Sequence, residues 1–256
     1  MKYARYIFQN NIYYGIVTGN EISELNGDPF EGYTLTSKTV AVSEVKLLSP
    51  TLPNKILAIG LNYRSHLGKV SELGHRDEPS VPEPFLKAPT SVINPGESIV
   101  LPKNSTKVQE EGEMVVVIKE QCKNVSRHEA KDYILGYTCG NDVSDRNWQA
   151  NDLQWWRAKS SDTFAPMGPF IETDIDSGNV MLRARVNGEV IQESSTSYLI
   201  HDVSSIIEHI SSVITLEPGD AIFTGTPGSP VDIHAGDTVE VEIDGIGVLS
   251  NPVVSE

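Results

Sequence analysis

Three carboxylates in the middle of the chain are spaced so that they could share a metal ion. Glu111 and Glu113 lie one residue apart and lead into the apolar run 114–118, and Asp142 follows a second, mostly apolar segment. Side chains at positions i and i+2 of a strand point to the same face, so an extended backbone projects both glutamates together. Buried carboxylates repel one another unless a cation lies between them, and oxygen ligands suit Mg²⁺ or Mn²⁺.

A second interpretation of these carboxylates needs no metal. Surface acids are common, and residues 110–113 could form a solvated acidic turn before a buried strand. The spacing alone leaves both interpretations open.

The charge of the chain limits its partners. The 256 residues carry 35 acids against 20 bases, a net charge of −15. This balance argues against nucleic acid, whose binders carry basic patches, and against an anionic membrane surface. A small anionic substrate requires a metal and a few bases that reverse the potential locally. The candidate bases are Lys87, Arg146, Arg157 and Lys159.

Composition predicts a cytoplasmic protein. No apolar stretch approaches the roughly 20 residues that span a bilayer, and the first residues lack the apolar segment of a signal peptide. The two cysteines, Cys122 and Cys139, provide no disulfide framework and no metal motif, so we expect reduced thiols.

Turn residues and strand patterns divide the chain in two. Residues 1–50 predict a small N-terminal β domain, in which 3–25 form a meander, and the proline-containing linker 48–54 places the boundary near residue 50. Residues 51–256 predict a larger domain dominated by strands. Within it, the polar stretch 66–84 is long enough to be a functional lid.

One segment of the larger domain predicts a helix. Ser126 and Glu129 have the spacing of a capping box, and Gly136 would end the helix that the box begins.

Seven segments, in order, resemble the fumarylacetoacetate hydrolase family over about residues 54–254. They are 60–66 (GLNYRSH), 84–89 (PFLKAP), 111–118 (EGEMVVVI), 136–144 (GYTCGNDVS), 157–164 (RAKSSDTF), 186–189 (VNGE) and 216–227, which contains LEPGD and TGTP. The resemblance implies a mixed, β-rich α+β fold with a β-roll core, and a homodimer.

The resemblance also implies roles for individual residues. Glu111, Glu113 and Asp142 would hold Mg²⁺ or Mn²⁺. Lys159 matches the active-site lysine of the family, and its alternative is a surface lysine with an exposed amine. The residues implied as substrate contacts are Arg146, Gln149, Lys87 and Thr226; for Thr226 the alternative is an ordinary turn residue.

The predicted acid/base is His66, since histidine gains or loses a proton near neutral pH; the alternative is a surface histidine. Many family members pair this histidine with a glutamate three residues later, where this chain has Lys69. Glu72 could replace that glutamate as a catalytic partner. Without such a partner, the sequence favours chemistry that needs only proton transfer over activation of a water molecule.

Together with these residues, the resemblance implies an enzyme that acts on a small 2-oxo dicarboxylic acid through a metal-bound enolate. Isomerase (tautomerase) or decarboxylase chemistry is the first hypothesis. The alternatives are a hydrolase that cleaves C–C bonds in acylpyruvates or related diketo acids, and a non-catalytic protein that retains the metal site. A purely structural protein would leave the ionisable groups at strand ends unexplained.

Overall fold

The fold is mostly β-sheet, as the sequence predicts. The computed structural model describes residues 1–67 and 77–256. Their strands are β1 (Lys2–Phe8), β2 (Asn11–Thr18), β3 (Glu21–Asp28), β4 (Gly32–Ala41), β5 (Lys46–Leu48), β6 (Ile56–Gly60), β7 (Glu83–Lys87), β8 (Val92–Ile93), β9 (Ile99–Leu101), β10 (Val108–Gln109), β11 (Gly112–Ile118), β12 (Ile134–Asn141), β13 (Ser144–Asp145), β14 (Ala165–Glu172), β15 (Met181–Val186), β16 (Glu189–Ser195), β17 (Ala221–Phe223), β18 (Thr238–Ile243) and β19 (Gly247–Ser255). The α-helices are α1 (Arg146–Asn151), α2 (Trp156–Ser160) and α3 (Val203–Val213), and short 3₁₀ turns span Val42–Glu44, Pro89–Ser91, Ala130–Tyr133 and Thr196–Tyr198.

Most of these strands belong to two sheets. The larger sheet has the order β4-β3-β2-β1-β14-β12-β11-β17-β6-β7, with β5 paired to β1 and β8 paired to β14. The smaller sheet has the order β16-β15-β18-β19-β9, and β10 and β13 form a separate pair. Neighbouring strands are mainly antiparallel; β6 with β17, β8 with β14 and β9 with β19 are parallel.

Strand β11 lies inside the larger sheet and is buried on both faces. Met114, Val116 and Ile118 belong to a core cluster that includes residues of the five-stranded sheet and of α3. Val115 belongs to a separate cluster around Phe223. Burial on both faces accounts for the unbroken apolar run after Glu113, since a strand with one wet face would alternate with polar residues.

The first fifty residues extend the larger sheet. Lys2 and Tyr3 of β1 pair with Glu172 and Ile171 of β14. Tyr3 and Ile171 share one core cluster. The meander predicted for residues 3–25 is therefore continuous, through hydrogen-bonded strands, with the sheet that carries β11.

Two local predictions need correction. Ser126 and Glu129 do form the capping contact, with the Ser126 amide 3.2 Å from the Glu129 carboxylate, but only the turn Ala130–Tyr133 follows. Gly136 lies inside β12 and ends no helix. The apolar pair Phe85–Leu86 in the sequence indicates a core strand, yet Leu86 is 59% exposed because β7 is an edge strand.

Part of the lid predicted at residues 66–84 is not among the residues that the structure describes. Lys69 and Glu72 are outside the described residues, and Glu83 already belongs to β7. No helix in the described ranges combines the length and the apolar character that a membrane crossing requires.

Candidate metal centre and active site

The three predicted carboxylates meet in one buried cluster. Glu111, Glu113 and Asp142 each offer an oxygen, and these oxygens lie within 4.8 Å of one another. Their side chains are almost fully buried, with residue exposures of 3%, 2% and 1%. The interpretation as a solvated acidic turn is therefore wrong. The geometry arises from pairing at the strand ends, where the Asp142 amide donates to the Glu111 carbonyl at 2.9 Å.

Two cations contact these carboxylates from the side of the cavity. The Lys159 amine donates to Glu111 Oε2 at 2.6 Å and to Asp142 Oδ2 at 2.5 Å. The Arg146 guanidinium donates to Glu111 Oε1 at 2.6 Å. Charge-assisted hydrogen bonds of this kind hold buried ions in a fixed geometry.

Helix α1 presents Arg146 and Gln149 on the same face. Asp145 caps the helix by accepting from the Trp148 amide at 2.9 Å, so the helix begins at Arg146. Three residues on, Gln149 Oε1 accepts a hydrogen bond from Arg146 at 2.8 Å. Both side chains line the cavity, where the sequence predicted them.

The other two candidate bases lie away from the cavity wall. Lys87 is buried behind Asp142, to whose Oδ1 it donates at 2.5 Å, and it also donates to the Lys159 carbonyl. This position makes Lys87 a support for Asp142 and Lys159, in place of the substrate contact that the sequence predicted. Arg157 is paired with Asp152 at 2.6 Å and lies outside the cavity lining.

His66 lines the cavity with a defined orientation. Its Nδ1 is 2.8 Å from the Gly228 carbonyl, and its Nε2 is 3.7 Å from Glu111 Oε1. A carbonyl can only accept, so Nδ1 carries the proton and Nε2 is the basic nitrogen of the neutral ring. Burial lowers the pKa of His66, although the Glu111 carboxylate opposes that shift.

The turn after β17 completes the site. The Gly225 amide donates to Glu113 Oε2 at 2.6 Å, and the Thr226 hydroxyl donates to the Gly112 carbonyl at 2.9 Å. Gly225 has a φ of +105°, and a Cβ there would lie 2.7 Å from Asn62 Cβ. Only glycine therefore allows the turn to approach this closely.

The electrostatics of the cluster fit a divalent cation. Burial, Asp142 and Glu111 together raise the pKa of Glu113 well above its ordinary value. Burial also tends to raise the pKa of Glu111. The charges of Arg146 and Lys159 outweigh this effect and hold the pKa of Glu111 well below its ordinary value. Within the described residues Glu113 forms no salt bridge, and the nearby Lys159 charge only partly offsets the rise in its pKa. An oxygen-donor set with one uncompensated carboxylate fits Mg²⁺ or Mn²⁺, held by Glu111, Glu113 and Asp142.

The cavity has one polar wall and one apolar wall. The space between the walls is about 340 Å³, including solvent at its open mouth. The apolar wall includes Ile59, Leu61 and the pair Phe85–Trp155, whose rings meet edge to face at 5.5 Å. These two walls favour a substrate with polar groups at one end and an apolar part at the other.

Sequence reasoning missed several residues that hold the site in place. Asn62 donates to the Thr224 and His201 carbonyls, Asn141 accepts from the Glu111 amide, and Gln192 reaches Thr226 from the other sheet. Asn62 and Asn141 lay within segments that carry the family resemblance, so that signal was available. For Gln192 no local signal existed, because its partners are more than thirty residues away along the chain.

Two family models cover nearly the whole chain. The model described as fumarylacetoacetate (FAA) hydrolase C-terminal matches residues 55–254, and the model described as Rv2993c-like, N-terminal matches residues 1–50.

Individual proteins match over similar lengths. The chain is 46% identical to Protein Rv2993c of Mycobacterium tuberculosis over 93% of this chain and 88% of that protein. It is 39% identical to the mitochondrial oxaloacetate tautomerase fahd2 of Xenopus laevis, over 83% and 69%. Among solved structures, 5-carboxymethyl-2-hydroxymuconate delta-isomerase from Mycobacterium smegmatis matches with a TM-score of 0.93 and 41% identity, over all of both chains.

Proposed function

The chain belongs to the fumarylacetoacetate hydrolase family, and from that premise we propose that it is a divalent-metal-dependent tautomerase of a small 2-oxo dicarboxylic acid. The reaction moves a proton between the carbon next to the 2-oxo group and the oxygen of that group. The observation that carries the proposal is the orientation of His66, whose Nε2 faces the carboxylate cluster as a base.

The charges of the site support a dianionic substrate. Three carboxylates, Glu111, Glu113 and Asp142, face three buried cations, Lys87, Arg146 and Lys159. A divalent ion held by Glu111, Glu113 and Asp142 would add two positive charges beside Arg146 and Lys159, and the two carboxylates of a dianionic substrate would offset them.

Each residue then has a role at a stated atom. A divalent ion held by the three carboxylates would act as a Lewis acid on the 2-oxo group. Lys159 and Arg146 stabilise negative charge that develops on the substrate oxygens, and Gln149 orients the substrate beside Arg146. His66 Nε2 takes the proton from the carbon next to the 2-oxo group and returns it to one end of the same system.

Relatives with related reactions support a proton shift. The Xenopus protein is named as an oxaloacetate tautomerase and the M. smegmatis structure as an isomerase, and both reactions relocate a proton in an unsaturated or 2-oxo acid. Decarboxylation of the same substrate would use the same charge stabilisation. The C–C hydrolase alternative needs a base for water, and the candidate for that partner, Glu72, lies outside the described residues.

Turnover of oxaloacetate tests the proposal. Enol–keto exchange and CO₂ release would be followed separately, with Mg²⁺ and after EDTA, with acylpyruvate as a parallel substrate. We expect Mg²⁺-dependent exchange that is lost in Glu113→Ala and falls by about 10²–10⁴-fold in His66→Gln. Cleavage of acylpyruvate without exchange would favour the hydrolase, and Mg²⁺-dependent ligand binding without turnover would favour the non-catalytic protein.

A further inference from the structure

Gln192 contacts two backbone segments of the active site, at Gly112 and at the turn of Thr226 and Pro227. It lies in β16 of the five-stranded sheet and is only 3% exposed. Its Nε2 donates to Thr226 Oγ1 at 2.8 Å and to the Pro227 carbonyl at 2.6 Å, and its Oε1 accepts from the Gly112 amide at 3.1 Å. The Gln192 side chain therefore joins β11, which carries Glu113, to the turn that carries Thr226.

The orientation of the Gln192 amide is determined by its partners. The Pro227 carbonyl can only accept and the Gly112 amide can only donate, so the nitrogen must face Pro227 and the oxygen must face Gly112. The opposite orientation would place two oxygen atoms 2.6 Å apart.

This orientation determines what Thr226 offers to the cavity. A hydroxyl has one proton, and Gln192 occupies one of its lone pairs as a donor. The Gly112 carbonyl, 2.9 Å away, takes the proton. Thr226 lines the cavity, so the remaining lone pair is available to a ligand.

The sequence around Gly112 allows this contact. A Cβ at Gly112 would lie 3.0 Å from Ala184 Cβ and 3.4 Å from Gln192 Oε1. The missing side chain lets the five-stranded sheet approach β11 between the two metal-ligating glutamates.

We propose that Gln192 is a positioning residue that holds the Thr226 hydroxyl as a hydrogen-bond acceptor for a hydroxyl group of the ligand. Thr226 would then recognise the hydroxyl of an enol, or of a 2-hydroxy acid, in preference to a carboxylate oxygen. This inference rests on the proposed function, because it assigns the tautomer that the same site binds.

Two small ligands separate the hydrogen-bond roles. Glycolate carries a hydroxyl beside its carboxylate, whereas oxalate offers only acceptor oxygens at neutral pH. Binding of each to the Mg²⁺-loaded full-length protein would be measured by calorimetry. We expect Thr226→Val to weaken glycolate about tenfold and oxalate less than threefold, and Thr226→Ser to restore the wild-type ratio.

A double-mutant cycle tests whether Gln192 acts through Thr226. Gln192→Met should weaken glycolate selectively, by about three- to tenfold, and the double variant with Thr226→Val should bind glycolate no more weakly than Thr226→Val alone. If Gln192→Met does not fold, Gln192→Asn replaces it, since the side chain stays an amide but is one methylene too short to donate to Thr226.

Different results would overturn the role assigned to Thr226 and the role assigned to Gln192. Equal losses for both ligands in Thr226→Val overturn the acceptor assignment, and additive losses in the double variant overturn the role of Gln192. In either case oxaloacetate turnover by the wild type leaves the proposed function in place. A Mg²⁺-loaded wild type that binds neither ligand and turns over no oxaloacetate overturns both.

Discussion

Lys87 shows how a single buried charge depends on its partners. Its side chain is 0% exposed and contacts the Asp142 carboxylate at 2.5 Å. Burial lowers the pKa of Lys87, and Asp142 opposes that shift. Such an ion pair adds little relative to an apolar core, yet removal of one member leaves the other charge buried with less compensation.

We therefore expect Lys87→Met to lower the free energy of unfolding by about 3–5 kcal/mol, measured by urea unfolding in EDTA. Lys46→Met is the matched control, because Lys46 forms an exposed pair with Glu97 at 2.8 Å. That control should cost at most about 1 kcal/mol. Equal losses in the two variants would contradict the buried-pair argument.

At the scale of elements, Gly136 shows why the sequence predicted the end of a helix where the structure has a strand. Gly136 follows a real capping contact, and a glycine after such a contact commonly ends a helix. In the fold, β12 passes through Gly136 beside β14, and a Cβ there would lie 2.5 Å from the Glu172 carbonyl oxygen. The glycine serves a close approach between strands, which depends on a partner far along the chain.

Gly136→Ala should consequently destabilise the protein by about 1–3 kcal/mol through overpacking. Gly178→Ala provides the control, since its Cβ would meet only Asp176 Oδ1 at 3.4 Å. Thermal unfolding of both variants measures the difference. If Gly136→Ala is as stable as the control, β12 and β14 can separate more easily than their packing indicates.

The metal site shows which parts of a site the sequence can predict. The i, i+2 spacing of Glu111 and Glu113 is local, and a strand converts it into a shared direction whatever the topology. Asp142 was a candidate because it follows a second apolar segment, the family resemblance supported it, and the pairing of β11 and β12 brings it alongside. Gln192 could not be predicted in this way, because its contact depends on how the second sheet packs against Gly112.

At the scale of the whole molecule, a titratable carboxylate, Glu97, links the first fifty residues to the rest of the chain. Glu97 accepts from Lys46 of β5 at 2.8 Å and from the Asn94 amide at 3.1 Å. Burial alone would raise the pKa of Glu97, but hydrogen bonds from Lys46 and Asn94, together with the charge of Lys46, lower it to about 2. Because the pKa of Glu97 is lower in the folded state, its carboxylate stabilises the fold fully at pH values above the unfolded-state pKa of about 4.5. This stabilisation is lost as the pH falls from about 4.5 towards 2.

Glu97→Gln should therefore reduce stability at pH 7 by about 1 kcal/mol, a modest value because the carboxylate is partly exposed. The difference from the wild type should shrink between about pH 4.5 and pH 2, where both proteins carry an uncharged group. Urea unfolding over this pH range measures it. A difference that stays constant with pH would show that charge is not the cause.

The family models divide the chain at residue 50, whereas the hydrogen-bonded sheet crosses that division. Tyr3 and Leu25 pack with Val117 and Ile171 in one cluster. A fragment 51–256 would expose the edge of β14 and lose these contacts. The homodimer implied by the resemblance stays a prediction that light scattering of the full chain would test.

We expect the full chain to unfold in one transition and the fragment 51–256 to melt about 10 °C lower. Two lost apolar side chains contribute about 1.5–3 kcal/mol each, and 1 kcal/mol corresponds to roughly 2–4 °C for a chain of this size. Leu25→Ala in the full chain tests the same contact without deletion and should lower the melting temperature by a part of that amount. A fragment with an unchanged melting temperature would mean that residues 1–50 form an independent unit, because a shared core cannot be removed without cost.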